Sequence, residues 1–278
     1  FDGDRLRQAR QLALRTKQSL AEPLGVSAAA IGQYESGATP PRAELIPLLA
    51  RELDVPREFF AAGRPLARLE TADAFFRSLR ATTAKQRAKA VSYTEQLWEL
   101  VHAVEKHVRL PPVNLPGFVG GEVEPGVFPN DPTAAARALR KAWRLGAEPI
   151  PHLVRTIENQ GIVAVLVPFA EDEVARIDAF STLSLSRPII VLSPDRANDI
   201  YRRRFTAAHE LGHLVMHGEL AGGDPALERE ADRFAAEFLT PSLVIQDLLP
   251  RRIDFRKLNQ LSEQWGESIK SLIYRSRE

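Results

Sequence analysis

The sequence predicts an α+β protein with an all-α N-terminal domain, a helical linker and a C-terminal domain that combines helices with a small mixed β-sheet. Three observations support this class. Residues 1–64 hold short helical segments and no strand pattern. Residues 65–130 are charged and helical in pattern, and then rich in proline and glycine. Residues 131–278 contain three β-branched runs among longer helical segments. We therefore predict three regions with these boundaries.

Composition limits the classes of function. The 37 basic and 36 acidic residues give a net charge of +1, so any nucleic-acid contact must come from a local patch. The chain has no cysteine, which excludes disulfides, thiolate metal sites and a cysteine nucleophile. No apolar run reaches the ~18 residues of a membrane span, and no signal-peptide pattern is present. We expect a cytoplasmic protein with no membrane partner.

The N-terminal domain is predicted to contain five short helices, over residues 4–13, 17–24, 28–36, 42–53 and 56–61. Gly25 and Ser27 predict a tight turn followed by an N-cap at the start of the third helix. Pro23 and Pro47 fall inside predicted helices. An interior proline costs ~3 kcal/mol in a regular helix, so we expect these two helices to be bent or shortened.

The C-terminal domain alternates helices and strands before a run of helices. Helices are predicted over residues 134–145, 150–159, about 198–218, 224–239, 242–248 and 255–277, and strands over 162–167, 176–184 and 188–192. The first strand is apolar enough to be buried on both faces. We expect the second strand to be a sheet edge along which an extended peptide binds.

The most informative motif is His209-Glu210-Leu211-Gly212-His213. Two histidines four residues apart on a helix point from the same face, so both can hold one metal ion. Glu210 stands beside the first histidine, where it can take a proton from an attacking water. The small residue Gly212 leaves room for a close neighbour. The motif therefore predicts a zinc site with His209 and His213 as ligands and Glu210 as the catalytic base.

A following acidic helix supplies candidates for a third ligand, because catalytic zinc takes three protein ligands and keeps one position open. Glu228 is the preferred candidate, and Asp232 lies one turn later, where it can hydrogen-bond the far nitrogen of a liganding histidine. Glu230 is the alternative ligand. It points about 160° around the helix from Glu228, so only one of them can face the metal. The other interpretation of each acid is a solvated helix face, which we expect for Glu219 and Glu237.

His217 lies a further four residues beyond His213. Three histidines along one straight helix cannot converge on one tetrahedral ion, so we exclude His217 as a ligand. We expect it to support a ligand or to lie at the surface. His102, His107 and His152 lack the spacing of metal ligands and are interpreted as structural.

Residues 203–217 (RRFTAAHELGHLVMH) and 228–241 (EREADRFAAEFLTP) together resemble the ImmA/IrrE family of zinc metallopeptidases. Residues 177–181 and 187–192 are similar to the strands that precede this motif in the family. The resemblance implies a zincin-like metallopeptidase domain of the gluzincin type over residues 131–278. It also implies a protein substrate, namely a helix-turn-helix repressor whose cleavage releases stress, phage or mobile-element genes.

Residues 20–37 (LAEPLGVSAAAIGQYESG) resemble an XRE-type, Cro/repressor-like helix-turn-helix. The resemblance implies double-stranded DNA as a partner and a recognition helix that begins after its Ser27 cap. Most side chains at the start of that helix are alanines, which can touch a thymine methyl group but cannot distinguish donor from acceptor patterns. The candidate DNA contacts are Lys17, Ser27, Ala28, Ala29, Gln33 and Arg42.

The charge of this segment leaves its role open. Residues 1–64 carry nine basic and eight acidic side chains, so electrostatic attraction to DNA is weak. A helix-turn-helix used for dimerisation or protein recognition is the alternative. Residues 261–274 also align with residues 20–33, with leucine, glutamate, glycine and serine at matching offsets. They form either a second helix-turn-helix-like unit or a packing pair of helices.

Three functions remain open from the sequence. The first is a DNA-binding regulatory protein whose zinc endopeptidase domain cleaves a repressor. The second is a transcription regulator whose zinc domain acts as a sensor or dimerisation module without proteolysis. The third is a toxin–antitoxin component. The sequence allows a homodimer in each case.

Overall fold

The computed structural model describes residues 1–69, 75–76, 83–167, 179–193, 200–218 and 224–277. Its contacts divide the chain into two compact units. The first comprises Phe1–Thr71 and Thr83–Val108, and the second comprises Ala72–Thr82 and Arg109–Glu278. The region predicted as a linker, residues 65–130, is therefore shared between the two units rather than set apart from them.

Short helices form the N-terminal part of the first unit, in the predicted order. They are α1 (Gly3–Leu12), α2 (Lys17–Ala21), α3 (Ala28–Glu35) and α4 (Leu45–Glu52), with 3-10 turns at Glu22–Leu24 and Arg57–Phe60. Asp2 begins α1 by accepting a hydrogen bond from the backbone N–H of Asp4 at 3.0 Å. The apolar faces of these helices meet in a core around Leu20, Ile31 and Leu49.

The two prolines affect their helices differently. Helix α2 ends at Ala21, and Pro23 lies in the 3-10 turn that follows it. Pro47 is the third residue of α4, where its missing N–H would have no intrahelical partner. Both helices are therefore shorter than predicted: α2 ends before Pro23, and α4 begins at Leu45 rather than at residue 42, which places Pro47 in its first turn.

Helix α5 (Ala84–Glu105) belongs to the first unit and packs along α1. Its contact with α1 is polar. Glu95 is fully buried and accepts hydrogen bonds from Arg7 at 2.8 Å and from Gln8 at 3.2 Å. Because the buried face of α5 carries charged and hydroxyl side chains, the apolar pattern of the sequence does not reveal that this helix belongs to a folded unit.

The second unit surrounds a sheet with helices. They are α6 (Pro132–Ala142), α7 (Leu153–Asn159), α8 (Ile200–Met216), α9 (Pro225–Leu239), α10 (Ser242–Leu248), α11 (Phe255–Trp265) and α12 (Ile269–Arg275). Apolar side chains of α6, α8, α9 and the sheet share one core, which includes Leu139, Ile190, Leu211 and Phe234. No helix among the described residues is long and apolar enough to span a bilayer.

The sheet is mixed, as predicted. The strands of the chain are β1 (Phe75–Phe76), β2 (Phe118–Val119), β3 (Glu122–Val123), β4 (Val163–Leu166), β5 (Ala179–Thr182) and β6 (Ile189–Leu192). Four of them form one sheet in the order β1-β5-β6-β4, and β2 and β3 form a separate hairpin. Strand β4 runs parallel to β6, while β5 is antiparallel to both β6 and β1.

Two predictions about individual strands are wrong. Strand β4 ends the sheet order and leaves Leu166 49% exposed, so it is not buried on both faces. Among the described strands, β5 and β6 are the ones buried along their whole length. Strand β5 is not an edge, because Phe180 and Ser181 pair with β1 on one side and with β6 on the other. Residues 177–178, which the prediction for this strand also included, lie outside the described residues.

The C-terminal segment forms two helices where the sequence predicted one. Helix α11 ends at Gly266, whose φ of 66° is in the left-handed region. Ser268 then caps α12 by accepting a hydrogen bond from the N–H of Ser271 at 3.1 Å. The turn between α2 and α3 has the same geometry, with Gly25 at φ 64° and Ser27 accepting from Ala30 at 3.0 Å. The aligned residues of these two segments therefore share one turn conformation.

Glu237 is a further correction, since we expected it on a solvated helix face. It is fully buried and accepts hydrogen bonds from the guanidinium groups of Arg137, at 2.8 Å, and of Arg275. It also accepts from the backbone N–H of Ser242 at 3.1 Å. Glu237 thus connects α6, α9, α10 and α12, and the charge pattern of α9 alone cannot reveal these distant partners.

Candidate metal centre

Helix α8 brings the two histidines of the motif to one buried face. His209 and His213 are at most 1% exposed, and their Nε2 atoms lie 3.1 Å apart. Gly212 allows α9 to approach this face closely. A Cβ at Gly212 would lie 3.0 Å from the ring of Phe234 and 3.3 Å from Cα of Ala231. The small residue that the sequence singled out therefore lies at a close contact between α8 and α9.

Helix α9 adds Glu228 to the two histidines. The Oε2 atom of Glu228 lies 3.4 Å from Nε2 of His209, and its Oε1 atom lies 3.5 Å from Nε2 of His213. These three side chains form a group whose ligand atoms can hold one metal ion. The structure thus brings together the three residues that the sequence predicted as ligands.

The donor atoms of this group suit a tetrahedral zinc ion. Zinc binds imidazole nitrogen and carboxylate oxygen at about 2.0–2.2 Å, which places two ligand atoms of a tetrahedron about 3.3–3.6 Å apart. The two Nε2 atoms lie 3.1 Å apart, and each lies 3.4–3.5 Å from a different oxygen of the Glu228 carboxylate, which is close to this range. In addition, Oε1 of Glu228 is buried and has no hydrogen-bond partner among the described residues. A bound cation would compensate this buried oxygen, so the residues present fit the metal.

Asp232 orients the first histidine. Its Oδ1 atom lies 2.8 Å from Nδ1 of His209. An ionised carboxylate can only accept a hydrogen bond, so the proton of the neutral imidazole lies on Nδ1 and the lone pair on Nε2. That lone pair faces Glu228 and His213. The structure therefore places Asp232 in the supporting position that the sequence predicted for it.

Glu230, the alternative third ligand, contacts a different histidine. Its Oε2 atom lies 3.1 Å from Nε2 of His217, whose Nδ1 atom lies 2.8 Å from Nδ1 of His213. His217 is 3% exposed, so the option of a surface position is wrong. Burial lowers the pKa of His217 below its ordinary value, although the hydrogen bond that its ring shares with the Glu230 carboxylate opposes this shift. His217 thus contacts His213 from a buried position.

Ser181 of β5 is a residue that the sequence did not single out. Its hydroxyl group donates to the Oε2 atom of Glu210 at 2.8 Å, and both residues are fully buried. Strand β5 packs against α8, which brings this hydroxyl to the carboxylate. A serine beside the apolar residues Ala179 and Phe180 is the signal that could have found it, because a buried hydroxyl group needs a partner.

Two cavities of the second unit reach this network. One, of about 590 Å³, is lined by Asp232 together with Tyr201, Phe205 and Tyr274. The other, of about 770 Å³, is lined by His217, Glu230 and residues of the β2–β3 hairpin and the segment after it. Both cavities therefore border the side chains that support the histidines.

The candidate DNA contacts lie in the first unit, on and around α3. Ser27, Ala29, Gln33 and Arg42 are exposed, and Ala28 is half-buried. Ser27 caps α3 and so places the start of this helix. Lys17 is also exposed, but its Nζ atom lies 3.6 Å from Oε2 of Glu35, which partly balances its charge. The exposed surface of α3 is therefore dominated by small side chains, with Gln33 as its longest candidate for a base contact.

The first unit holds a short helix that is capped at its start. The second unit holds a group of two histidines and one glutamate beside a small mixed sheet. Together they define a class of protein, a DNA-binding regulator with a metallopeptidase-type domain. Comparison with protein families agrees with it. Residues 157–277 match the family model described as IrrE N-terminal-like domain, Peptidase_M78. Residues 6–60 match a helix-turn-helix family model, HTH_3. The chain thus carries an ImmA/IrrE-type domain and an XRE-type helix-turn-helix, which confirms both resemblances. No curated protein matches it.

Proposed function

We propose that this protein is a DNA-binding regulator whose zinc-dependent endopeptidase domain cleaves a helix-turn-helix repressor in a stress, phage or mobile-element response. The observation that carries the proposal is the convergence of His209 and His213 of α8 with Glu228 of α9, with separations of 3.1–3.5 Å, next to the buried Glu210 of α8. Three protein ligands leave one position of a tetrahedral ion open, which is typical of catalytic rather than structural zinc.

The residues of the chain have distinct tasks in this HExxH, gluzincin-like mechanism. Zinc, when bound, supplies Lewis acidity to the scissile carbonyl and the attacking water. Glu210 accepts the proton of that water and delivers it to the leaving amine. Ser181 holds the Glu210 carboxylate by donating to Oε2 at 2.8 Å, which fixes the acceptor before the substrate arrives. Asp232 keeps the lone pair of His209 directed at the ligand group.

The partners follow from the two domains. The peptidase domain acts on a protein, and the helix-turn-helix binds double-stranded DNA. Both are available together in the cytoplasm, where we place this function. A homodimer would present two copies of α3 to two half-sites on DNA, the arrangement that most helix-turn-helix proteins use.

Glu210→Gln tests the peptidase. We expect cleavage of a helix-turn-helix repressor by this protein to fall about 10²–10⁴-fold, because the general base is lost. Zinc content, measured by elemental mass spectrometry, should stay at one ion per chain, since Glu210 is not a ligand. Glu263→Gln on α11 is the matched control, because it removes the same charge from an exposed side chain. Cleavage that continues unchanged in Glu210→Gln would contradict the mechanism. A wild-type protein that holds zinc and cleaves no helix-turn-helix protein would favour a sensor or dimerisation module.

DNA binding is tested separately. Duplexes selected from a random-sequence pool by the wild-type protein would be titrated in mobility-shift assays between ~50 and ~200 mM salt, because phosphate contacts give a steep loss of affinity. We expect Gln33→Ala to reduce discrimination between selected and random duplexes by about 1–3 kcal/mol. Gln264→Ala on α11, an exposed glutamine of the second unit, is the control. If no duplex were enriched, the helix-turn-helix would serve protein recognition instead.

A further inference from the structure

The second histidine of the metal centre contacts a third histidine, which in turn contacts a carboxylate. Nδ1 of His213 lies 2.8 Å from Nδ1 of His217, and Nε2 of His217 lies 3.1 Å from Oε2 of Glu230. We propose that His217 and Glu230 form a relay that positions His213 for metal binding. The proposal rests on the proposed function, since it concerns the same metal centre.

The direction of each hydrogen bond in this relay follows from its carboxylate end. Ionised Glu230 can only accept, so Nε2 of His217 carries the proton. A neutral imidazole has one N–H, and Nδ1 of His217 is therefore an acceptor. The proton shared between the two Nδ1 atoms must then belong to His213. This leaves the lone pair of His213 on Nε2, which lies 3.5 Å from Oε1 of Glu228.

His209 has the same tautomer, but a carboxylate contacts its ring directly. Asp232 accepts the Nδ1 proton of His209 directly at 2.8 Å, which leaves the Nε2 lone pair of that ring. Both Nε2 lone pairs thus face one another at 3.1 Å, and a cation between them removes the repulsion. The relay gives His213 the tautomer that Asp232 gives His209.

Burial makes the relay hard to replace by solvent. His217 is 3% exposed and His213 is 1% exposed, so loss of the His217 ring leaves the Nδ1–H of His213 without a ready substitute partner. Glu230, in contrast, is partly exposed and borders the cavity of about 770 Å³. Removal of Glu230 should therefore cost less than removal of His217, because water can reach its position.

The test measures zinc affinity of the full chain by competition with a chromophoric chelator, with zinc ions alone as the probe. Removing a partner that supports a metal ligand weakens binding by about 10–100-fold. We expect His217→Leu near the upper end of that range and Glu230→Gln near the lower end. His217→Asn should recover part of the loss, because its side-chain oxygen can accept from His213 near the position of Nδ1. Glu263→Gln is the matched charge control and should bind zinc as the wild type does.

A second measurement needs no variant. Long-range ¹H–¹⁵N spectra of the zinc-loaded wild type report the tautomer of each ring, and we expect His217 protonated on Nε2 and His213 on Nδ1. The opposite tautomer of His217 would overturn the relay. So would an unchanged zinc affinity in a folded His217→Leu. Wild-type protein that binds no zinc would overturn both the relay and the proposed function. Zinc affinities that follow the expected order without any peptide cleavage would support the relay and contradict the peptidase.

Discussion

Helices α3 and α8 both carry residues on which a function is proposed, but they are built in opposite ways. On α8 the polar side chains of the motif are buried, and contacts from other elements hold them: His209 by Asp232 and Glu210 by Ser181. On α3 the candidate base contact Gln33 is exposed, and the capping contact of Ser27 is local. A metal centre must be preorganised by the protein, whereas the partners of a base-contacting helix are supplied by DNA. The structure of the protein alone therefore shows much more of the metal centre than of the DNA contacts.

Ser181→Ala should have the largest effect among substitutions that leave the metal ligands and Glu210 in place. It removes a hydrogen bond to a buried carboxylate, which is worth about 1.5–3 kcal/mol for a charged partner. If Glu210 loses its orientation, kcat/KM for the cleaved repressor should fall about 10–100-fold.

Helix α3 supplies the control for this substitution. Ser27→Ala removes a hydroxyl group of the same kind from the cap of α3, and it should leave kcat/KM unchanged. Zinc content should be normal in both variants. Equal activity of Ser181→Ala and the wild type would show that burial alone orients Glu210.

Replacing one glycine by alanine in each of the two helices should change the free energy of local unfolding by an intermediate amount. The change should have opposite signs in α8 and α3. A Cβ at Gly212 would meet the buried ring of Phe234 at 3.0 Å, so α9 must shift. Overpacking costs about 1–3 kcal/mol, and the better helix propensity of alanine returns about 1 kcal/mol. A Cβ at Gly32 would meet only the flexible end of Lys17, at 3.4 Å.

We therefore expect Gly212→Ala to lower the free energy of local unfolding of α8 by up to about 2 kcal/mol. Gly32→Ala should raise that of α3 by about 0.4–1 kcal/mol. Native-state hydrogen exchange of the amides in each helix measures both values in the same chain. Because Glu228 and Asp232 are on α9, zinc affinity should also fall in Gly212→Ala only. Stabilisation of α8 by this substitution would mean that Phe234 can move without cost.

The sequence predicted those parts of the site that depend on spacing within one helix. His209 and His213 are four residues apart on α8, and Glu228 and Asp232 are four residues apart on α9, so helix periodicity places each pair on one face. Ser181 and the contact of His217 with Glu230 depend on how β5 and α9 pack against α8. Spacing along the chain holds no information about that packing.

The difference between local pattern and distant packing also explains which elements of the fold were predicted. Helices with apolar stripes, such as α8 and α9, were predicted close to their observed bounds. Helix α5 was assigned to a linker because it packs against α1 through Glu95, Arg7 and Gln8 rather than through an apolar stripe. The position of β5 between β1 and β6 was missed because strand order is set by pairing between distant segments. The break at Gly266 is local, and the alignment with Gly25 pointed to it.

The smallest loss of stability is expected at the cap of α3, where the stabilising contact is local rather than supplied by another element. Ser27 accepts from the N–H of Ala30 at 3.0 Å, and replacing such a cap by alanine costs about 1 kcal/mol. Hydrogen exchange of the α3 amides should show this loss in Ser27→Ala. Ser36→Ala is the matched control, because its hydroxyl group donates to the carbonyl of Gln33 at the other end of the helix. We expect a change of less than about 0.5 kcal/mol there. Since Ser27 is exposed, water can replace its oxygen in part, so a full 2 kcal/mol loss would indicate that the cap also orders the turn at Gly25. No loss at all would mean that the sequence around the turn, rather than the cap, sets where α3 begins.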